Sequence, residues 1–218
     1  MYFFAAIIGF LLSYFSFKLY NFTRKRYHLF LNLSFIFITI GFSILAASNI
    51  YSFLHFERCQ PNCIITNQNV FNWILYGNYG YYLFSIIGYF MFILSYPLYR
   101  KKGESKFFLE FIPAFTINIF FQPQQTFVLY PFENAFFQPF HILSALFLLL
   151  IVLRTFANYK KAKLKNCSLI PLGFAAMLFY HVLMFSVPFS PLFFAFAHLS
   201  LLIGFTSLLL MLAKVTRK

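Results

Sequence analysis

Two imidazoles stand in an apolar run, FYHVLMFSVPFSPLFFAFAHLS, residues 179–200. They are His181 and His198, each seven residues from the nearer of Pro188 and Pro191. A neutral imidazole offers one donor and one acceptor nitrogen, so it can relay a proton, bind a polar ligand or hold a metal. A third ring, His141, follows Pro139 by two residues. Equal spacing from a tight Pro-Phe-Ser-Pro hairpin predicts equal depth for His181 and His198. At 1.5 Å per helical residue, that depth is about 10 Å below the nearer membrane boundary. His141 is expected somewhat shallower on the same side.

Three readings of these rings stay open. Interhelical hydrogen bonds to Ser186, Ser200 or a backbone carbonyl would make them packing elements. A wet polar cavity would make them ligand-binding residues, with Asn118 and Asn78 as further candidates. A metal site would use His181 and His198, and a haem site would use His181 with His141 or His198 as axial ligands. No nucleophile or carboxylate accompanies them, so no catalytic residue is assigned and an enzyme is disfavoured. The glutamates expected on their side, Glu57 and Glu133, fall in loops, and the rings are therefore expected neutral.

The elements that must carry these rings are membrane helices. Apolar residues make up 61% of the chain and charged residues 10%, with no aspartate at all. A soluble domain carries about 25% charged residues. A globule this poor in charge has no soluble surface, and lipid is its natural solvent. The net charge of +13 does not imply nucleic acid, because basic residues flanking membrane spans explain it. Seven apolar segments, about 2–20, 28–50, 71–98, 107–122, 137–157, 169–187 and 191–213, predict a single domain over 1–218. The expected fold is an all-α seven-transmembrane-helix bundle. The fourth segment is the weakest, with Pro113, Asn118 and then Gln122-Pro123-Gln124-Gln125. Ser168 and Ser190 precede the sixth and seventh segments, with Pro171 and Pro191 close behind, and are expected to cap them.

Charge orients the bundle. Alternate seams between spans hold every Lys and Arg except Arg58, from Lys18 and Arg24-Lys25-Arg26 to Lys214, Arg217 and Lys218. Lysine and arginine stay on the cytoplasmic side. The N-terminus is therefore expected outside and the C-terminus inside, in a multi-pass protein of the cell membrane. The first segment has its charges after the apolar run, which is the wrong order for a cleaved signal peptide. The longest connector is short, so no soluble domain is expected within the chain.

The outer seam 55–63, HFERCQPNC, places Cys59 and Cys63 on the oxidising side, where a disulfide is the first expectation. The spacing His55-x3-Cys59-x3-Cys63 also fits three metal ligands. The sequons at Asn21, Asn32 and Asn166 fall in cytoplasmic seams or a span and should carry no glycan. The run Tyr76-Gly77-Asn78-Tyr79-Gly80-Tyr81-Tyr82 suits close helix approach at Gly77 and Gly80.

Seven spans with an external N-terminus is the topology of heptahelical receptors and microbial rhodopsins. A retinal Schiff base needs a lysine midway along the last span, and this chain has only Lys214 at its end, so retinal is not expected. Trp73-Ile74-Leu75-Tyr76-Gly77 looks like a fragment of the SWEET sugar-transporter repeat, but no three-plus-three repeat accompanies it. The expected function is a non-catalytic, sensor-like or accessory module that binds a small ligand or partner helix in an outer-half cavity. The alternatives are a haem- or metal-binding electron-transfer subunit and a small transporter. Expected partners are anionic headgroups at the cytoplasmic face, each nearby charge contributing about 1 kcal/mol, and another membrane protein.

Overall fold

A computed structural model of the chain describes residues 2–56, 68–95, 137–162, 168–190 and 192–216. The fourth apolar segment with Asn118, the outer seam with Cys59 and Cys63, and Cys167 lie outside the described residues. Within them the chain forms six α-helices. These are α1 (Tyr2–Thr23), α2 (Arg26–Phe56), α3 (Gln68–Ser95), α4 (Phe137–Ala162), α5 (Leu169–Phe185) and α6 (Leu192–Thr216). A 3-10 turn, Val187–Phe189, links the last two.

Helix α2 starts two residues before the expected 28–50 and runs six residues past its end. Apolarity marks where a helix meets lipid, whereas backbone hydrogen bonding continues into polar residues until a turn stops it. Four of the helices, α1, α2, α4 and α6, are long and apolar enough to cross a membrane, and α5 is a shorter apolar helix. The glutamine, asparagines and glycines of Gln68–Ser95 dilute the apolarity of α3.

The two serine caps differ. Ser190 is extended (φ −161°, ψ 131°), and its Oγ accepts the Leu192 N–H at 3.4 Å. Ser168 already has helical backbone angles and makes no side-chain cap bond. Its carbonyl instead accepts the Leu172 N–H at 3.2 Å. Pro171 sits at the third helical position and lacks one of the two N–H groups that a serine cap can serve, the other being that of Ile170.

The helices pack in chain order around a closed ring. Each touches the next, and α6 returns to pack on α1. Contacts across the ring fix directions. Tyr2 meets Phe42, and Asn32 Nδ2 donates to the Ser13 carbonyl at 2.7 Å, so α1 and α2 are antiparallel. Ser48 Oγ donates to the Trp73 carbonyl at 2.8 Å, and Gly88 lies against Ile38, so α2 and α3 are antiparallel. Tyr81 pairs with Tyr180 and Phe92 with Phe174, which makes α3 antiparallel to α5. The start of α4 meets the last turns of α5 at His141 and Tyr180. Ser200 Oγ donates to the Ala176 carbonyl at 2.6 Å, setting α6 antiparallel to α5. Helices α1, α3, α4 and α6 therefore share one direction.

Every Lys and Arg among the described residues consequently lies toward one end of the bundle: Lys18, Arg24, Lys25, Arg26, Arg154, Lys160, Lys161 and Lys214. His141, His181 and His198 lie toward the other, whereas His28, near the start of α2, sits at the cation end. The described residues include no Asp or Glu.

Aromatic rings fill the centre. Phe42 of α2 meets Phe205 of α6 edge-on at 5.8 Å, and Phe92 meets Phe35 at 5.0 Å and Phe174 at 5.1 Å. Such edge-to-face pairs contribute about 0.5–1.5 kcal/mol each beyond burial. Small residues bring the helices close enough for this. Gly77 abuts Ser48, as the glycine–tyrosine run leads one to expect. On the other side, a Cβ at Gly204 would lie 2.9 Å from the Gly173 carbonyl oxygen. Phe3, Phe10, Leu153 and Leu210 point outward and exposed, as a lipid-facing surface requires.

A buried tyrosine–histidine cluster

Helix α3 places its polar groups on the face turned to the core. Gly77, Tyr81, Ser85, Tyr89 and Phe92 recur every three or four residues, and all are buried, because 3.6 residues per turn stack them on one stripe. Tyr89 is thereby aimed across the bundle at α5. Its hydroxyl lies 2.7 Å from His181 Nε2. On the far side of the same ring, His181 Nδ1 lies 2.8 Å from His141 Nδ1 of α4. Two hydrogen bonds in series thus join α3, α5 and α4 through one imidazole.

The surroundings are dry and aromatic. His181 is 0% exposed and His141 and Tyr89 are 1% exposed, which leaves water no route to replace a lost partner. Phe140 packs edge-on against both imidazoles, at 4.9 Å from His141 and 5.5 Å from His181. A second bond runs in parallel between the Tyr81 and Tyr180 hydroxyls at 3.3 Å.

The chemistry of the chain of bonds follows from its atoms. With neutral rings, two hydrogen arrangements satisfy both contacts. In one, the Tyr89 O–H donates to His181 Nε2, and His181 Nδ1–H donates to His141 Nδ1. In the other, His141 Nδ1–H donates to His181 Nδ1, and His181 Nε2–H donates to the Tyr89 oxygen. Both are fully bonded at the shared ring. The cluster can therefore pin three helices, and it can transmit a tautomer change from α4 to α3.

His198 stands one ring away. The Tyr180 ring centroid is 6.0 Å from His141 and 5.9 Å from His198, so Tyr180 separates His198 from the pair. His198 Nδ1 donates to the Phe194 carbonyl one turn earlier, at 2.8 Å. That bond puts the hydrogen on Nδ1 and leaves Nε2 of a neutral ring as a bare lone pair. This Nε2 is buried and has no hydrogen-bond partner among the described residues. The Tyr2 ring lies 5.0 Å away, edge-on.

The sequence-predicted residues are thus partly assembled. His141 and His181 meet directly, and His198 joins their level through Tyr180. The partners expected for the rings differ in two cases. Ser186 Oγ donates to the Val182 carbonyl and Ser200 to Ala176, because a helical serine finds a carbonyl a turn away or on a touching helix more readily than a distant ring. A backbone-carbonyl partner, as expected, is found at His198. Asn78 is half-buried on α3 and makes none of these contacts. Tyr81 belongs to the glycine–tyrosine run singled out above, whereas Tyr89 and Tyr180 escape notice in the sequence, although the stripe from Gly77 to Phe92 carries the signal for Tyr89.

Among the described residues no group of three His, Cys, Asp or Glu side chains is close enough to hold a metal. The His141–His181 separation is that of a direct hydrogen bond. Two nitrogens sharing a tetrahedral zinc at about 2.0–2.1 Å would sit about 3.3 Å apart. Axial haem ligation by His181 would have to displace Tyr89 or His141, since both its nitrogens are engaged.

No protein-family model, curated protein or solved structure matches the chain.

Proposed function

We propose that the protein is a seven-span, non-catalytic membrane module with its N-terminus outside, sensor-like or accessory in role. The span count is supported by the shared direction of α3 and α4. Ser95 ends α3 at one end of the bundle and Phe137 begins α4 at the other, and the proposal assigns a return crossing to the chain between them. That stretch contains the apolar segment 107–122. The orientation is supported by the collection of basic residues at a single end, which the positive-inside rule assigns to the cytoplasm of a cell membrane.

The observation that carries the functional reading is the unpartnered His198 Nε2. A buried acceptor without a donor costs about 1–3 kcal/mol, and a ligand or a partner helix supplying an O–H or N–H would remove that cost. Its position beside Tyr2 and Tyr180, at the α1–α6 seam and at the end of the bundle away from the cations, supports an outer-half site. The His141–His181–Tyr89 chain then serves as the rigid wall behind it. No carboxylate among the described residues is available to orient an imidazole as a general base, which favours binding over catalysis. The haem reading is weaker on the same geometry, and an absorption spectrum without a Soret band removes it.

Mild extraction followed by identification of what accompanies the protein tests this reading. A stoichiometric partner or small molecule that is lost in His198→Phe, while the bundle stays folded, is the expected result. A protein that emerges alone and binds nothing contradicts it.

A further inference from the structure

The turn between α1 and α2 is unusually costly for its sequence. Only Arg24 and Lys25 separate the helices. Arg24 has a φ of 54°, a left-handed conformation that glycine or asparagine adopts and that a residue with a long side chain disfavours. Its N–H closes α1 on the Tyr20 carbonyl at 2.7 Å, the position where glycine ordinarily ends a helix. An arginine has been kept where backbone geometry asks for glycine.

The neighbours explain what a guanidinium does there. Arg24, Lys25 and Arg26 are three consecutive cations, all exposed at the tip of the hairpin. Lys25 Nζ rests 5.9 Å from the Tyr27 ring centroid and Lys18 Nζ 6.0 Å from that of Phe22. These aromatic supports hold the ammonium groups at the rim, with Phe22 itself 71% exposed. No carboxylate among the described residues is present to neutralise them. Tyrosine, phenylalanine and cations together are what a lipid–water boundary selects.

We infer that the Arg24-Lys25-Arg26 tip is a binding site for the phosphate of an anionic lipid headgroup. The inference rests on the membrane-spanning reading above and names the lipid class that this end of the bundle recruits. Arginine suits the role because its planar fork meets two phosphate oxygens at once. The left-handed turn joins the two helices in two residues, so three consecutive cations lie exposed at one tip without a longer loop.

Arg24→Gly separates geometry from charge. The protein is reconstituted in phosphatidylcholine discs, with and without phosphatidylglycerol, and its melting temperature and retained phosphatidylglycerol are measured. In pure phosphatidylcholine, Arg24→Gly should melt about 2 °C higher than the parent, because the turn is relaxed. In phosphatidylglycerol discs it should gain less than the parent and retain the anionic lipid about fivefold more weakly. Lys25→Gln and Arg26→Gln should show the second effect without the first. Unchanged phosphatidylglycerol retention in Arg24→Gly overturns the inference. So does an equal gain on adding inorganic phosphate to phosphatidylcholine discs at matched ionic strength, which would make the site one for a free anion. A chain that fails to enter discs at all would instead sink the membrane reading.

Discussion

His181→Leu should destabilise the bundle by about 2–3 kcal/mol, far more than its own lost contacts suggest. The substitution removes a ring whose two nitrogens satisfy Tyr89 and His141 at 2.7 and 2.8 Å. Both partners stay behind, buried from solvent. An orphaned buried polar group costs about 1–3 kcal/mol. In bilayers, measured interhelical bonds average only about 0.6 kcal/mol, because the unfolded chain also finds partners there. The lowest part of the combined range of about 2–6 kcal/mol is therefore the expectation. The comparison that gives this force is the triple variant Tyr89→Phe, His141→Leu, His181→Leu. It deletes every polar atom of the chain of bonds at nearly constant shape and should recover most of the loss. Unfolding in mixed micelles, followed by helix content, measures both. A triple variant less stable than the single one would show that the rings do more than satisfy one another.

Gly204→Leu should cost about 3 kcal/mol or prevent folding. The reason lies in what a side chain would meet. An added Cβ is 2.9 Å from the Gly173 carbonyl oxygen and 3.3 Å from the Met177 nitrogen, both backbone atoms of α5. A side chain can swing away, but a helix backbone must translate as a body. That translation would pull Ser200 from the Ala176 carbonyl, and it would loosen Tyr180 between His141 and His198. Gly80→Ala offers the control. There the nearest atom is a methyl of Ile44 at 3.0 Å, and rotation of that side chain should hold the cost under about 1 kcal/mol. Equal losses for the two would mean that α5 and α6 are not held at backbone contact.

Much of this arrangement can be read from the chain alone, and the parts that cannot share a cause. All-helical structure and helices long enough to cross a membrane follow from apolarity, which depends on composition along one axis. The use of Gly77 for close packing follows from residue size. The grouping of the cations follows from alternation along the chain. The partners of the histidines depend on something else, the rotational phase of each helix about its own axis. Proline spacing places His181 and His198 at one depth, yet it says nothing about whether His181 turns toward His198 or toward His141. Phase is set by packing of all the helices at once. The buried stripe from Gly77 to Phe92 gives the phase of α3, and with it Tyr89, to a reader who looks for a period of 3.6 in small and phenolic residues. Ser168 teaches a similar lesson on a shorter scale. A serine before a helix suggests a cap, but Pro171 removes one of the two N–H groups that the cap can bind.

The central claim is that the histidine end and the cation end of the bundle lie on opposite sides of the cell membrane. Single cysteines at Phe189 and Lys25, introduced after Cys59, Cys63 and Cys167 are replaced by serine, test it with a membrane-impermeant maleimide. Phe189 is 82% exposed in the turn beyond His181, and Lys25 is exposed at the α1–α2 tip. Phe189→Cys should label in intact cells, and Lys25→Cys only after permeabilisation. Labelling of both from the same side, or of Lys25→Cys alone in intact cells, would contradict the account.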